Sequence, residues 1–308
     1  MVHQAATSTE DYSAMITAHQ FISDMAEYIS MPEIYLGIRR LINKQDARIE
    51  DFVKIIETDS MLSVRLIRMA NSKFFGFPRK TKNLHQAIDM IGVKQLHDLL
   101  LSSLCLRTFS SIPEQVLNLK AFWHYGVQCG IAASTIARHS SILASNHYFT
   151  LGLLHEIGHA VMYLKSPELC IQVLDESQTQ EVTVTDLERV HLGFDYGQLG
   201  AALMQLWHLP EVYQQVAAYH LQPQQADVAF QQDVRIIYLA HAVCQNPVAD
   251  QQREIISSIA EGDSQLRNLP DDIDKLIQSE ISAHADSILS ILWPRRSEPL
   301  APDLRQAD

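Results

Sequence analysis

The stretch Leu151-Gly152-Leu153-Leu154-His155-Glu156-Ile157-Gly158-His159-Ala160-Val161-Met162 decides the fold. From residue 149 to 164, apolar side chains occupy most of the circumference of a helical wheel. Such a segment is stable only as a helix buried on several sides. Two imidazoles and a carboxylate interrupt it, and polar groups taken out of water need partners. Residues 122–137 form a second such run, broken by His124, Gln128, Ser134 and Thr135, and read as another central helix. Further out, the helical period continues with a single stripe. Residues 61–70 align Leu62, Leu66, Met69 and Ala70, and residues 93–106 align Val93, Leu96, Leu100 and Leu104. Thr185-x-x-Glu188 has capping-box spacing and predicts a helix start near residue 186. Pro210 suits the first turn of a helix reaching about Tyr219, and residues 232–246 form an amphipathic helix stopped near Pro247. Glycine and proline number only 11 each in 308 residues, too few for the many tight turns of an all-β fold. The expected fold class is all-α.

Composition narrows the function classes. Hydrophobic residues make up 47%, enough for a packed core and too many for a disordered chain. Cys105, Cys129, Cys170 and Cys244 lie far apart without a Cys-x-x-Cys pair. They predict reduced, buried thiols in a cytoplasmic protein, not a disulfide framework or a zinc knuckle. The start, MVHQAATSTEDYS, shows no signal-peptide pattern, and no stretch approaches the roughly 18–20 apolar residues of a membrane span. Net charge is −12, which disfavours general nucleic-acid binding. The charge is uneven: residues 250–308 hold 12 acids against 6 bases, whereas residues 60–88 hold six bases and no acid. Within that basic stretch, residues 71–83 pack Phe74, Phe75 and Phe77 around Gly76 and Pro78. Exposing three phenylalanines would cost about 1.5–3 kcal/mol each, so the loop is expected to dock as a rigid bridge.

Fourteen histidines concentrate the chemistry, and two metal readings compete. His155 and His159, four apart, with Glu156 match the zinc-peptidase pattern His-Glu-x-x-His. The longer metzincin pattern then needs glycine and histidine where this chain has Met162 and Lys165, and no strand is visible to bind a peptide. The second reading takes His155-Glu156 as a neighbouring pair of the His-Asp kind, with further ligands coming from other helices.

The order of motifs along the chain gives the second reading its context. Met31-Pro32 is followed by Ile55-Ile56-Glu57-Thr58-Asp59, then by Arg65-Leu66-Ile67-Arg68-Met69-Ala70-Asn71-Ser72-Lys73-Phe74-Phe75-Gly76. Leu84, Ala87, Ile88, Ile91 and Gly92 come next, then Phe122-Trp123-His124, residues 151–158, Glu188 and Gly193-Phe194-Asp195. Gly200, Trp207-His208-Leu209-Pro210 and Tyr219-His220 complete the series. Over residues 25–245 the chain resembles an HDOD domain, the HD-related output domain of bacterial signalling proteins. The resemblance implies an N-terminal helical lobe over 25–115 and an HD-like bundle over 116–245. Residues 1–24 would be a flexible lead-in and residues 246–308 an acidic helical tail. It also implies a degenerate metal site formed by His124, His155, Glu156 and His241, with His159, Asp195, Tyr196 and His220 lining the pocket. Glu156 stands where HD enzymes carry aspartate, and His241 where they carry a late acid. A two-metal hydrolase needs carboxylates to hold both cations. The expected function is therefore non-enzymatic: a regulatory module of two-component or cyclic-dinucleotide signalling that acts through protein partners. The basic stretch 65–82, with Arg79, Lys80 and Lys82, and the acidic tail are the expected contact surfaces, with input coming from a separate molecule. No cofactor is required, although one divalent cation (zinc, iron or manganese) suits the donors. The alternative is a metal-dependent HD-type phosphohydrolase acting on a nucleotide or cyclic dinucleotide.

Overall fold

The computed structural model describes residues 17–293 apart from positions 28, 111, 141, 143–145, 247–248 and 261–265. All regular structure among the described residues is helical. The first five helices are α1 (Ala18–Ser23), α2 (Glu33–Ile42), α3 (Ile49–Ile56), α4 (Ser60–Ala70) and α5 (Leu84–Thr108). They are followed by α6 (Leu119–His139), α7 (Asn146–Leu154), α8 (Ile157–Lys165), α9 (Pro167–Gln180) and α10 (Val184–Leu192). The chain continues through α11 (Tyr196–Leu206), α12 (Glu211–Tyr219), α13 (Gln231–Gln245), α14 (Ala249–Ala260) and α15 (Ile273–Leu292).

Helices α2 to α5 pack on one another as an N-terminal lobe, and α5 carries that lobe onto α7. Asp59 caps α4 by accepting the Leu62 N–H at 2.9 Å, and its carboxylate also pairs with Arg107 of α5. The 71–83 loop docks as its composition requires. Phe74 and Phe75 are buried against Phe149, and the Asn71 side chain clasps Thr81 through two hydrogen bonds of 2.8 and 2.9 Å.

Helix α6 is the spine of the bundle, with α7, α13 and α15 packed along it. Contact with α7 is close because Gly152 faces the α6 backbone, where an added Cβ would lie 2.7 Å from the Cys129 carbonyl. Four expectations need correction. Residues 149–164 are not one helix: α7 stops at Leu154, Glu156 has φ −103° and ψ 17°, and α8 starts at Ile157. The helix expected near 186 begins at Val184, because Thr183 supplies the cap and accepts the Asp186 N–H at 3.2 Å. Of the expected flexible lead-in, residues 1–16 lie outside the described part. Helix α1 packs on α11 instead, burying Phe21 and Ile22, with the Phe21 ring edge-on to Phe194. Helix α15, expected within a polar tail, buries Ile273, Ile277, Ile281, Ile288 and Leu292 and lies along α6. No described helix is long and apolar enough to cross a membrane.

Candidate metal centre

The break between α7 and α8 sets the site. Ending α7 at Leu154 frees the Gly152 carbonyl, which accepts from His155 Nδ1 at 2.6 Å. A carbonyl can only accept, so Nδ1 carries the proton and Nε2 holds a lone pair. That Nε2 lies 3.0 Å from Nδ1 of His241 on α13. His220, at the C-terminal cap of α12, is oriented in the same way. Its Nδ1 donates to the Ala217 carbonyl at 2.9 Å, and its Nε2 accepts the Tyr196 hydroxyl at 2.9 Å. Glu156 Oε1 lies 3.6 Å from His241 Nδ1. His155, Glu156, His220 and His241 each offer a donor atom within 4.8 Å of the others.

Burial controls the charge of this cluster. It drives the imidazoles toward neutrality: His220 is lowered to about 4 and His241 to about 3, and His155 lies well below its ordinary value. Neighbouring histidines add to the lowering at His155 and His241. Burial pushes the Glu156 carboxyl up to about 7. The only carboxylate of the cluster is thus protonated in much of the population at neutral pH.

These donors fit a divalent cation. Carbonyls hold two imidazoles with the ring proton on Nδ1 and the lone pair on Nε2, the arrangement that orients histidine ligands in metal sites; at His220 a cation would displace the Tyr196 hydroxyl from that lone pair. A third imidazole and a carboxylate complete a nitrogen-and-oxygen set suited to zinc, iron or manganese.

The sequence-derived candidates divide clearly. His155, Glu156 and His241 come together, and His220, expected only to line the pocket, joins them. His124 does not. Tyr125 is the residue of α6 that faces the cluster, and its neighbour His124 points about 100° away. His124 Nε2 therefore sits 3.4 Å from Asp286 on α15. The Tyr125 hydroxyl lies 3.1 Å from His241 Nδ1. His159 is also outside the cluster, stacked on Tyr196 with ring centroids 3.7 Å apart. Glu156 falls at the helix break and His159 faces elsewhere, so the zinc-peptidase geometry is absent. Asp195 caps α11 through the Gln198 N–H at 2.8 Å and pairs with Arg189. A cavity of about 620 Å³ opens over the cluster, lined by Glu156, His159, Asp195, Tyr196, His220 and His241.

Sequence reasoning missed Tyr125 and the role of Glu188. Glu188 is buried, accepts the Tyr196 N–H at 2.9 Å and lies 3.8 Å from His159. Burial pushes its carboxyl up to about 8. The signal was the interruption of an apolar stripe by one acid, because Leu187 and Glu188 are the two buried residues of α10. Arg79, Lys80 and Lys82 are all exposed, and none has an ion-pair partner among the described residues.

A family model described as HDOD domain matches residues 29–223. A solved structure from Shewanella amazonensis that carries the name phosphohydrolase is similar at a TM-score of 0.70 and 18% identity, covering 91% of this chain and 100% of its own. A signal-transduction-named structure from Marinobacter aquaeolei gives a TM-score of 0.62 at 18% identity, covering 88% of this chain and 60% of its own. A Treponema pallidum protein printed as uncharacterized is 27% identical over 192 residues, which is 62% of this chain and 37% of that relative's length. The chain thus spans little more than a third of that relative.

Proposed function

We propose that this chain, which belongs to the HDOD domain family, works in bacterial signal transduction by binding regulatory proteins and does not turn over a substrate. One observation carries the reading: the cluster holds three imidazoles and a single carboxylate. Two-cation phosphoester hydrolysis needs several carboxylates to hold both ions and activate water. One cation held by His155, Glu156, His220 and His241 supplies a fixed positive charge between α7, α12 and α13, and so ties these helices together. Around it the chain's own groups have static roles. Gly152 and Ala217 carbonyls orient two rings, the Tyr196 hydroxyl beside His220 yields the Nε2 lone pair to the cation, and Tyr125 closes the side facing α6.

The partner surface in this reading is the clasped loop bearing Arg79, Lys80 and Lys82, which presents three cations without neutralising acids. The partner is accordingly an acidic protein face. The test is capture from the native cell extract by the intact chain and by the Arg79→Glu, Lys80→Glu, Lys82→Glu variant. Capture should be lost in the variant while its helical circular dichroism is unchanged. Equal capture by both removes this surface.

The second reading, a metal-dependent HD-type phosphohydrolase, rests on the 620 Å³ cavity over the cluster. Steady hydrolysis of nucleotides or cyclic dinucleotides by manganese-, iron- or zinc-loaded protein, abolished by His155→Ala, would replace the signalling reading with this one.

A further inference from the structure

A second cavity, of about 680 Å³, lies at the junction of the N-terminal lobe and the bundle. Its walls come from α2, α5, the start of α7, the turn after α11 and the start of α12. At its base Asp98 is buried and accepts three hydrogen bonds. Tyr213 Oη donates at 2.8 Å, His147 Nδ1 at 2.9 Å and His97 Nδ1 at 3.2 Å. Tyr35 then donates to His97 Nε2 at 2.9 Å. The carboxylate is saturated by these donors. Burial opposes its charge, but the hydrogen bonds from His147 and His97 outweigh it and hold the carboxyl at about 2.

This base fixes the His147 ring. Because Nδ1 donates to Asp98, Nε2 is the ring nitrogen left over, and it has no hydrogen-bond partner among the described residues. The ring itself lines the cavity. Two cations share the wall, Arg39 and Lys94, and neither has a carboxylate partner among the described residues. Arg39 uses one guanidinium nitrogen on the Trp207 carbonyl at 3.0 Å, which leaves the rest of its fork free. His208 stands at the rim with a left-handed backbone, φ 54°. That conformation closes α11, with the Leu209 N–H donating to the Met204 carbonyl at 2.9 Å. The remaining wall includes Ile42, Val93, Leu209 and Val212.

From this wall we infer a ligand site for a small organic monocarboxylate with an apolar body. The apolar wall takes the body, and Arg39 with Lys94 takes the carboxylate. Asp98 is saturated by its own donors, so Arg39 and Lys94 remain for the carboxylate of the ligand. A carboxylate matches the planar fork of Arg39. His147 Nε2 can hydrogen-bond to a hydroxyl or amide on the ligand body. The site is separate from the histidine cluster and does not depend on any cation there.

The test uses the full chain with its histidine rings labelled with 13C, followed by NMR while octanoate, benzoate or indole-3-acetate is titrated. At least one carboxylate should shift the His147 and His208 ring signals in a saturable way. Its neutral alcohol counterpart should bind at least about tenfold more weakly, the loss expected for one charge-assisted hydrogen bond. Lys94→Glu, an exposed position whose change leaves the fold intact, should weaken binding by a similar factor, and Arg39→Gln should weaken it further. Binding should be equal with and without added zinc, which separates this site from the cluster. Absence of a saturable shift with all three carboxylates, equal binding of the alcohols, or indifference to Lys94→Glu would each overturn the assignment.

Discussion

Glu156 is the residue on which the cluster's chemistry turns. Burial holds its carboxyl at about 7, above the ordinary value of 4.5, so a cation must displace a proton to use it. Cation affinity should therefore rise with pH through about 7, and zinc binding at pH 6 should release close to one proton. Calorimetry in two buffers of different ionisation heat measures this release, and Glu156→Gln should abolish it. No release from the native chain would show that the carboxyl is not a ligand. The sign in the metal-free protein follows from the same shift. A carboxyl raised on folding contributes stability that is fully present below about 4.5 and is lost as pH rises through about 7. The same isotherm separates neighbouring histidines. His220→Ala should weaken zinc binding by at least about tenfold, one ligand's worth on the scale of 1.4 kcal/mol per decade. His124→Ala should leave it unchanged, because that ring faces Asp286. His155 and His241 were legible in the sequence as polar interruptions of apolar stretches. His124 was misread because order along the chain does not carry helix rotation, and the side of α6 that faces the cluster belongs to Tyr125.

At the scale of elements, crossings without side chains hold the site. Gly158, on the first turn of α8, meets the backbone of α11 so closely that an added Cβ would lie 1.8 Å from the Tyr196 carbonyl. No rotamer relieves a clash with backbone, so Gly158→Ala must push α8 and α11 apart. Forced separation of packed elements costs about 1–3 kcal/mol or more. The denaturation midpoint should fall accordingly, and the Tyr196–His220 hydrogen bond should lengthen with it. A midpoint equal to that of the native chain would mean that the two helices do not cross this closely. Most helices were readable from the 3.6-residue period alone, including α4, α6, α12 and α13. The break at His155-Glu156 was not. Apolar residues continue on both sides of it, so periodicity sees one helix where the tight Gly152 crossing and the Gly158 crossing require two directions. The start of α10 was missed for a related reason: Thr183 and Thr185 both precede acids at capping distance, and burial of Glu188 selects the first.

For the whole molecule, the question is where the folding unit ends. The HDOD match closes at residue 223, before α13 and α15. Yet α13 supplies His241 and packs on α6 and α7, and α15 lies along the other side of α6. Along α15, Ile273, Ile277, Ile281, Ile288 and Leu292 recur at spacings of four and seven and are all buried. That stripe was present in the sequence, but the surplus of acids over residues 250–308 drew the eye to the solvent face of the same helix. Burying five such side chains is worth about 1.5–3 kcal/mol each. Their sum is comparable with the whole net stability of an ordinary domain, about 5–15 kcal/mol. Truncation after residue 268 should thus expose the α6 face and lose cooperative thermal unfolding, although every residue matched by the family survives. Truncation after residue 293 keeps α15 and should unfold with the same midpoint as the full chain. If the shorter form instead melts cooperatively at the native midpoint, α15 is an attachment to the bundle and not part of its core.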